Sequence, residues 1–351
     1  MDRYVGVDGH SRSCTFGIVS ASGRRLESKV VETNGRALVE AVRLIPGRVH
    51  VCLEEGTQSA WLYELFKPHV AEVVVSMPSK AKGAKDDKRD AWARAQELRL
   101  GAVETRVFKA PQHLAALRSA VRAYGFAVTD VVRAKNRLKA VFLGRGIVAD
   151  AGVYDPERRD GWLAKLSGPY RQLAEVLSRQ LDLVVPAWDE AESWLLTESK
   201  SHPIIRKLLT APGMGPIRTA QVVAIVAVPD RFRTRQQFWS YCGLGIVTRS
   251  SADWRPGRMG GLERAQTLST RGLTRKRHPL LKAVFKGAAM TVITQLPNDP
   301  LHAHYQRMIE KGIKPPLARL TVARRIAATV LSMWKNQEVY DSKRHAVVEQ
   351  P

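Results

Sequence analysis

Apolar and polar positions in the first third of the chain alternate with the period of strands, and runs of helical spacing separate the later strands. Residues 4–8, 14–19 and 26–31 are three short β-prone runs. Turn-like segments at Gly9-His10-Ser11 and at 20–23 separate them, close enough for an antiparallel meander. Asn34 is placed to cap a helix running to about Leu44. Residues 49–54 then read as a strand, 59–67 as a helix and 70–76 as another strand. This order predicts a mixed sheet covered by helices, an α/β layer arrangement. After a polar basic loop at 78–85, residues 87–100 take helical spacing, with Ala91, Ala95 and Leu98 among the less polar positions.

Beyond this point the period is helical. An arginine-rich stretch at 112–145 carries Leu114, Leu117, Val121, Ala134 and Leu138, and a second helical stretch at 170–196 is interrupted or bounded near Pro186. Together they read as an antiparallel helical arm or a plain interdomain support. Near Ile204 a new region opens, and Pro212-Gly213-Met214-Gly215-Pro216 feeds an alanine-rich helix in the manner of a helix-hairpin-helix. Gly213 and Gly215 would let backbone amides approach a DNA phosphate at the helix start, although such a hairpin serves equally as a packing device. The expected division is therefore 1–108, 109–203 and 204–351, with the last part mainly helical.

Charge changes the picture more than composition does. With 44% hydrophobic residues the chain is globular, yet its formal net charge is +23. Such an excess repels itself unless a polyanion is present, and nucleic acid is the obvious counterion. Cys14, Cys52 and Cys242 are too few and too far apart for a zinc site or a disulfide framework, which suits a reducing compartment. No apolar run spans a bilayer, and no signal peptide precedes the strand pattern at Met1-Asp2-Arg3-Tyr4, so a cytoplasmic location without a membrane partner is expected.

Acids at the ends of strands supply the candidate chemistry. Asp8 closes the first strand and shares parity with Tyr4 and Gly6, while Glu54 closes the strand 49–54. Asp87 and Asp90, three apart at a helix start, share one face. Four carboxylates from separate segments suit two Mg²⁺ ions about 3.5–4 Å apart, which activate a nucleophile and stabilise the departing oxygen at phosphorus; Mn²⁺ would serve as well. Strand parity prefers Glu54 to Glu55, and Asp86 points roughly 100° around the helix from Asp87. Lys82, Lys85, Lys88 and Arg89 crowd the acids, either as a salt-bridged solvent face or as phosphate contacts. His10, close to Asp8, either meets substrate or holds the turn, the turn being the commoner role.

The ordered set Val7-Asp8, Leu53-Glu54-Glu55-Gly56-Thr57 and Lys85-Asp86-Asp87-Lys88-Arg89-Asp90-Ala91 resembles the DEDD transposase family of bacterial insertion sequences, relatives of the Piv-type DNA invertases. In the second half, Pro212-Gly213-Met214-Gly215-Pro216, Asp230-Arg231-Phe232 and Phe238-Trp239-Ser240-Tyr241-Cys242-Gly243-Leu244 resemble the C-terminal transposase domain of that family. The resemblance implies a RuvC-like, RNase H-fold N-terminal domain with Asp8, Glu54, Asp87 and Asp90 as metal ligands. It also implies a serine nucleophile in the segment Ser250-Ser251-Ala252, Ser251 before Ser250, with Ala252 where the family has glycine. Arg249, Arg255 and Arg258 would then neutralise developing charge, and Arg271, Arg275, Lys276 and Arg277 would hold the backbone. Double-stranded donor and target DNA, a noncoding bridge RNA that selects them, and a dimer or tetramer of the chain are the implied partners. Two other readings stand beside it: a RuvC-like structure-specific nuclease without serine chemistry, and a nucleic-acid-binding architectural protein without catalysis.

Overall fold

The computed structural model describes residues 1–78, 86–250, 254–256, 260–264 and 268–342. They fall into two compact units, 1–112 and 113–351.

The first unit opens with the predicted meander. β1 (Asp2–Gly9), β2 (Ser13–Ser20) and β3 (Arg25–Glu32) pair antiparallel in sequence order. Helix α1 (Gly35–Arg43) follows, and Asn34 caps it by accepting from the Ala37 amide at 2.8 Å. Then come β4 (Arg48–Glu54), α2 (Ser59–Phe66), β5 (Glu72–Ser76) and α3 (Asp87–Arg99). β4 lies parallel to β1 and β5 parallel to β4, giving a five-stranded mixed sheet in the order β3-β2-β1-β4-β5. This is an α/β arrangement of RNase H-like type.

Strand parity divides the sheet between two layers. Val5, Val7, Phe16, Ile18, Val51, Leu53 and Val75 form a buried cluster with Leu38 and Val42 of α1 and Leu62 and Phe66 of α2. The other face receives α3. There Gly6 stands beside Gly17 in the β1–β2 register, so the sheet has no side chain where the helix crosses. A Cβ on Gly6 would run into the Ala91 carbonyl, and one on Gly17 would lie 2.7 Å from the Trp92 amide. Ala91 and Ala95, both fully buried, keep the helix side of this contact equally small. Further along, Leu98 packs on Cys52 and Val74.

In the second unit α4 (Ala115–Leu143) and α6 (Gly168–Ser199) pack along each other, joined through α5 (Pro156–Leu163). The sequence had suggested a break near Pro186; α6 runs through it. A proline removes one intrahelical hydrogen bond, but Leu181, Val184, Val185 and Trp188 all pack into the α4–α6 core and hold the helix on both sides of it. Arg159 is buried there, donating to both carboxylate oxygens of Asp182 (2.6 and 2.8 Å) and to the carbonyls of Tyr154 (3.1 Å) and Val153 (3.4 Å).

The remainder is mainly helical: α7 (Pro203–Leu208), α8 (Pro216–Val226), α9 (Arg235–Tyr241), α10 (Pro279–Gln295), α11 (Pro300–Glu310) and α12 (Pro315–Asn336). Between α9 and α10 lie four short strands that hydrophobic alternation does not announce. β6 (Ile246–Ser250) pairs with β9 (Leu268–Leu273), and β7 (Trp254–Pro256) pairs with β8 (Leu262–Arg264). All three cysteines are free and buried. No helix among the described residues is long and apolar enough to cross a membrane.

The seat of α3 gives a direct stability prediction. Gly6→Ala must push α3 off the sheet, an overpacking that costs about 1–3 kcal/mol. Gly56→Ala, with nothing within 4 Å of the added Cβ, should stay within about 0.5 kcal/mol of the parent. Urea unfolding of the full chain checks the pair; equal stability of the two variants would contradict the close approach.

Candidate active site

The site lies where β1 and β4 end and α3 begins. In the parallel β1–β4 register Val7 stands beside Leu53, so the next residues, Asp8 and Glu54, lie at the same level near the ends of neighbouring strands. Both share the parity of Gly6 and Cys52, the face on which α3 lies. α3 begins at Asp87, so its first turn presents Asp87 and Asp90 near the strand ends. Negative charge there is favoured by the helix dipole.

The structure brings two of these acids, with His10, within reach of one ion. Ligand atoms of Asp8, His10 and Asp87 all lie within 4.8 Å of one another. His10 Nε2 is 3.4 Å from an oxygen of Asp8 and 3.4 Å from an oxygen of Asp87. Asp8 is half-buried, while Asp87 and His10 remain open to solvent. Hard carboxylate oxygens with one imidazole nitrogen, open to solvent, fit a divalent cation. His10 therefore faces both acids instead of serving only the turn, although its backbone amide does donate to the Ser13 carbonyl at 3.0 Å.

The neighbouring acids have other partners. Asp86 is the N-cap of α3, its carboxylate accepting from the amides of Lys88 (3.0 Å) and Arg89 (3.4 Å). Glu55 accepts from Lys109 Nζ at 2.5 Å and from Ser59 Oγ at 2.9 Å, and Lys109 also reaches Ser59 at 2.8 Å. Glu54 is ion-paired with Arg94, a buried residue of α3. Asp90 is half-buried in the first turn, and its amide donates to the Asp86 carbonyl at 2.9 Å. Glu54 and Asp90 stand outside the group formed by Asp8, His10 and Asp87.

Sequence reading did not single out Arg94 or Lys109. The signal for Arg94 was present: it occupies an inward position of α3 among Ala91, Ala95 and Leu98, where an apolar residue is expected.

Of the basic residues proposed from sequence, Lys88 and Arg89 are exposed beside the acids, and Lys82 and Lys85 lie outside the described residues. Ser251 and Arg258 also lie outside them, while Ser250 and Arg249 belong to β6, Arg255 to β7 and Arg271 to β9. The root of β6 is anchored from α12: Arg324 Nε donates to the Leu244 carbonyl at 2.8 Å, and the Arg324 carbonyl accepts from Trp239 Nε1 at 2.9 Å. Arg275, Lys276 and Arg277 are exposed just before α10. Burial pushes the Lys282 ammonium down, and Arg277 and Lys286 add to this, a mark of how closely cations gather there.

Gly213, read as a DNA-facing hairpin glycine, has a packing role. It adopts φ +70°, and a Cβ on it would collide with the Ala288 backbone of α10. Arg218 ties the same turn down, donating to the Gly213 carbonyl (2.8 Å) and to Thr291 (2.9 Å). Gly215 precedes α8 with open space around it.

An RNase H-like sheet with Asp8 near the end of β1 and Asp87 at the head of α3 is an arrangement that fits metal-assisted chemistry on a polynucleotide. Residues 5–145 match the family model of the IS110 DEDD transposases, and residues 205–306 match the transposase model of the IS116/IS110/IS902 family. The chain belongs to the IS110 family of DEDD transposases, enzymes that cut and join DNA and whose family implies a divalent metal. Among curated proteins none matches it.

Asp86 and Asp87, adjacent in sequence, are predicted to separate by experiment. Asp86→Ala removes the helix cap and should cost about 1 kcal/mol of stability. Asp87→Asn should stay within about 0.5 kcal/mol of the parent yet weaken Mn²⁺ binding. Thermal melts and calorimetric titration of Mn²⁺ check this; loss of Mn²⁺ affinity from Asp86→Ala alone would reverse the assignment.

Proposed function

We propose that this transposase recombines DNA with a composite chemistry, an acidic metal site in the first domain and a serine nucleophile in the last. The supporting observation is the meeting of Asp8, His10 and Asp87 at the strand ends, in a chain whose two halves match the two transposase models. Asp8, Glu54, Asp87 and Asp90 would hold the metal, Mg²⁺ or Mn²⁺. When bound, the ion supplies Lewis-acid stabilisation of charge developing on the phosphoryl oxygens.

The serine is Ser251, with Ser250 its neighbour. Its Oγ attacks the scissile phosphorus and gives up its proton, one bridging oxygen leaves as a free hydroxyl, and a phosphoserine diester holds the cut end. Attack by a second DNA hydroxyl on that diester returns the serine and joins the strands. Arg249, Arg255 and Arg258 would face the negative charge of the transition state. Lys82, Lys85, Lys88, Arg89, Arg271, Arg275, Lys276 and Arg277 would bind backbone phosphates, as would the amides near Gly215. In this reading, the parts are a RuvC-like catalytic domain at 1–108, a helical arm at 109–203 and a serine-bearing domain at 204–351. A bridge RNA transcribed beside the gene selects donor and target, and the +23 charge serves RNA as well as DNA. The working assembly is a dimer or tetramer, in the cytoplasm.

The test is recombination by purified protein with donor and target DNA, Mg²⁺, and the flanking transcript present or absent, followed by denaturing detection of protein–DNA adducts. Joining that needs the transcript, with an adduct lost in Ser251→Ala and activity lost in Asp87→Ala, is the expected result. Metal-dependent cutting that Ser251→Ala leaves intact, with no adduct, would replace this reading with a nuclease. Salt-sensitive binding without any strand transfer would replace it with an architectural protein.

A further inference from the structure

Among the described residues two arginines are buried, and they are used differently. All three nitrogens of the Arg159 guanidinium are engaged, by Asp182 and by the carbonyls of Tyr154 and Val153. Arg94 has one carboxylate partner, Glu54, and its Nε is buried without a hydrogen-bond partner. Burying a guanidinium with an unfilled donor costs free energy, and a buried ion pair is often no better for stability than apolar packing. The position itself, between Ala91, Ala95 and Leu98 on the sheet side of α3, suits an apolar side chain. Packing therefore does not account for Arg94.

Charge does. Asp8, Glu54, Asp87 and Asp90 converge on one end of the sheet, and close carboxylates disfavour one another's ionised form unless a cation intervenes. Side chains of a helix lean toward its N-terminus, so Arg94 reaches from the middle of α3 up to Glu54 at the strand end.

The geometry points to Arg94 as a resident counter-cation of the acidic site: it holds Glu54 in place of metal charge, and a divalent ion must compete with, or share, that pair. This rests on the reading of Glu54 as a metal ligand. Arg94 is a positioning residue, acting through Glu54 and not on DNA. It keeps α3 seated when no metal is held, and it makes the site a weaker metal binder than its carboxylates alone would be. Metal occupancy and the position of Glu54 are thereby coupled.

The experiment uses the full chain without DNA, titrated with Mn²⁺ by calorimetry and melted with and without Mn²⁺. Arg94→Met and Arg94→Gln remove the charge; Arg94→Lys keeps it. Removing an opposing charge from the site should tighten Mn²⁺ binding roughly tenfold while lowering the metal-free melting temperature. Arg94→Lys should stay within about threefold of the parent. Combining Arg94→Met with Glu54→Gln should return the affinity to that of Glu54→Gln alone, because the two residues act as one pair.

Should Arg94→Met fail to fold, Arg94→Gln carries the titration. In the parent chain the Arg94 Nε–H resonance, identified by its loss in Arg94→Lys, must shift as Mg²⁺ is added. Folded charge-removing variants that bind Mn²⁺ with parental or lower affinity would overturn the counter-cation role, and so would an unmoved Nε–H resonance. If Asp8→Asn, Asp87→Asn and Glu54→Gln also leave Mn²⁺ binding unchanged, the metal site itself falls; if they weaken it, only the role of Arg94 does.

Discussion

Helix α3 can lie on the sheet only because two adjacent strands present no side chain where it crosses. Gly6 and Gly17 stand side by side in the β1–β2 register, and the backbone of Ala91 and Trp92 occupies the space their side chains would take. Everything at the acidic end depends on this contact. It fixes the height of α3 above the sheet, and with it the position of Asp87 relative to Asp8. A helix lifted by one methyl layer would keep its secondary structure and its cap, yet carry its acids away from the strand ends. The meeting of Asp8, His10 and Asp87 therefore belongs to the packing of the domain as much as to the residues themselves.

The same contact explains why the charges can be assembled at all. Carboxylates from β1, β4 and α3 are gathered where they repel, and the structure sets nitrogen donors of its own against them. His10 stands between Asp8 and Asp87, Arg94 pairs with Glu54, and Lys109 pairs with Glu55. Asp86 is likewise occupied as a helix cap. Glu54, Glu55 and Asp86 thus have distinct local partners, and Asp8 and Asp87 are the acids that meet at His10. In a chain of such high positive charge, an acidic cluster of this kind is a local inversion of charge. Such a cluster could hold a divalent ion on a protein whose overall charge attracts phosphate.

Much of this was legible in the sequence because it rests on local pattern. Strand alternation placed β1 to β5, Asn34 announced the start of α1, and the acids at strand ends and at the head of α3 stood out by position. What escaped depends on contacts between distant residues. Proline ordinarily interrupts a helix, and only the packing of α6 on α4 carries it past Pro186. The short strands between α9 and α10 are polar and irregular, so pairing defines them where periodicity does not. Gly213 was readable as a phosphate-facing turn or as a packing device, and only its conformation and the nearness of Ala288 show the packing. The glycines of β1 and β2 were visible as glycines; their purpose appears only when the register sets them together beneath α3. Arg94 was readable as an anomaly, a charge on an apolar face, but its partner on β4 was not.

The central claim is that seating α3 on Gly6 and Gly17 delivers a metal-binding site to the ends of β1 and β4. The most direct measurement is an anomalous difference map from crystals of the full chain soaked in Mn²⁺, collected near the manganese edge. The account predicts a peak bonded to the carboxylates of Asp8 and Asp87 at the head of α3. No peak there at saturating Mn²⁺, or ions bound only to other acids, would contradict it.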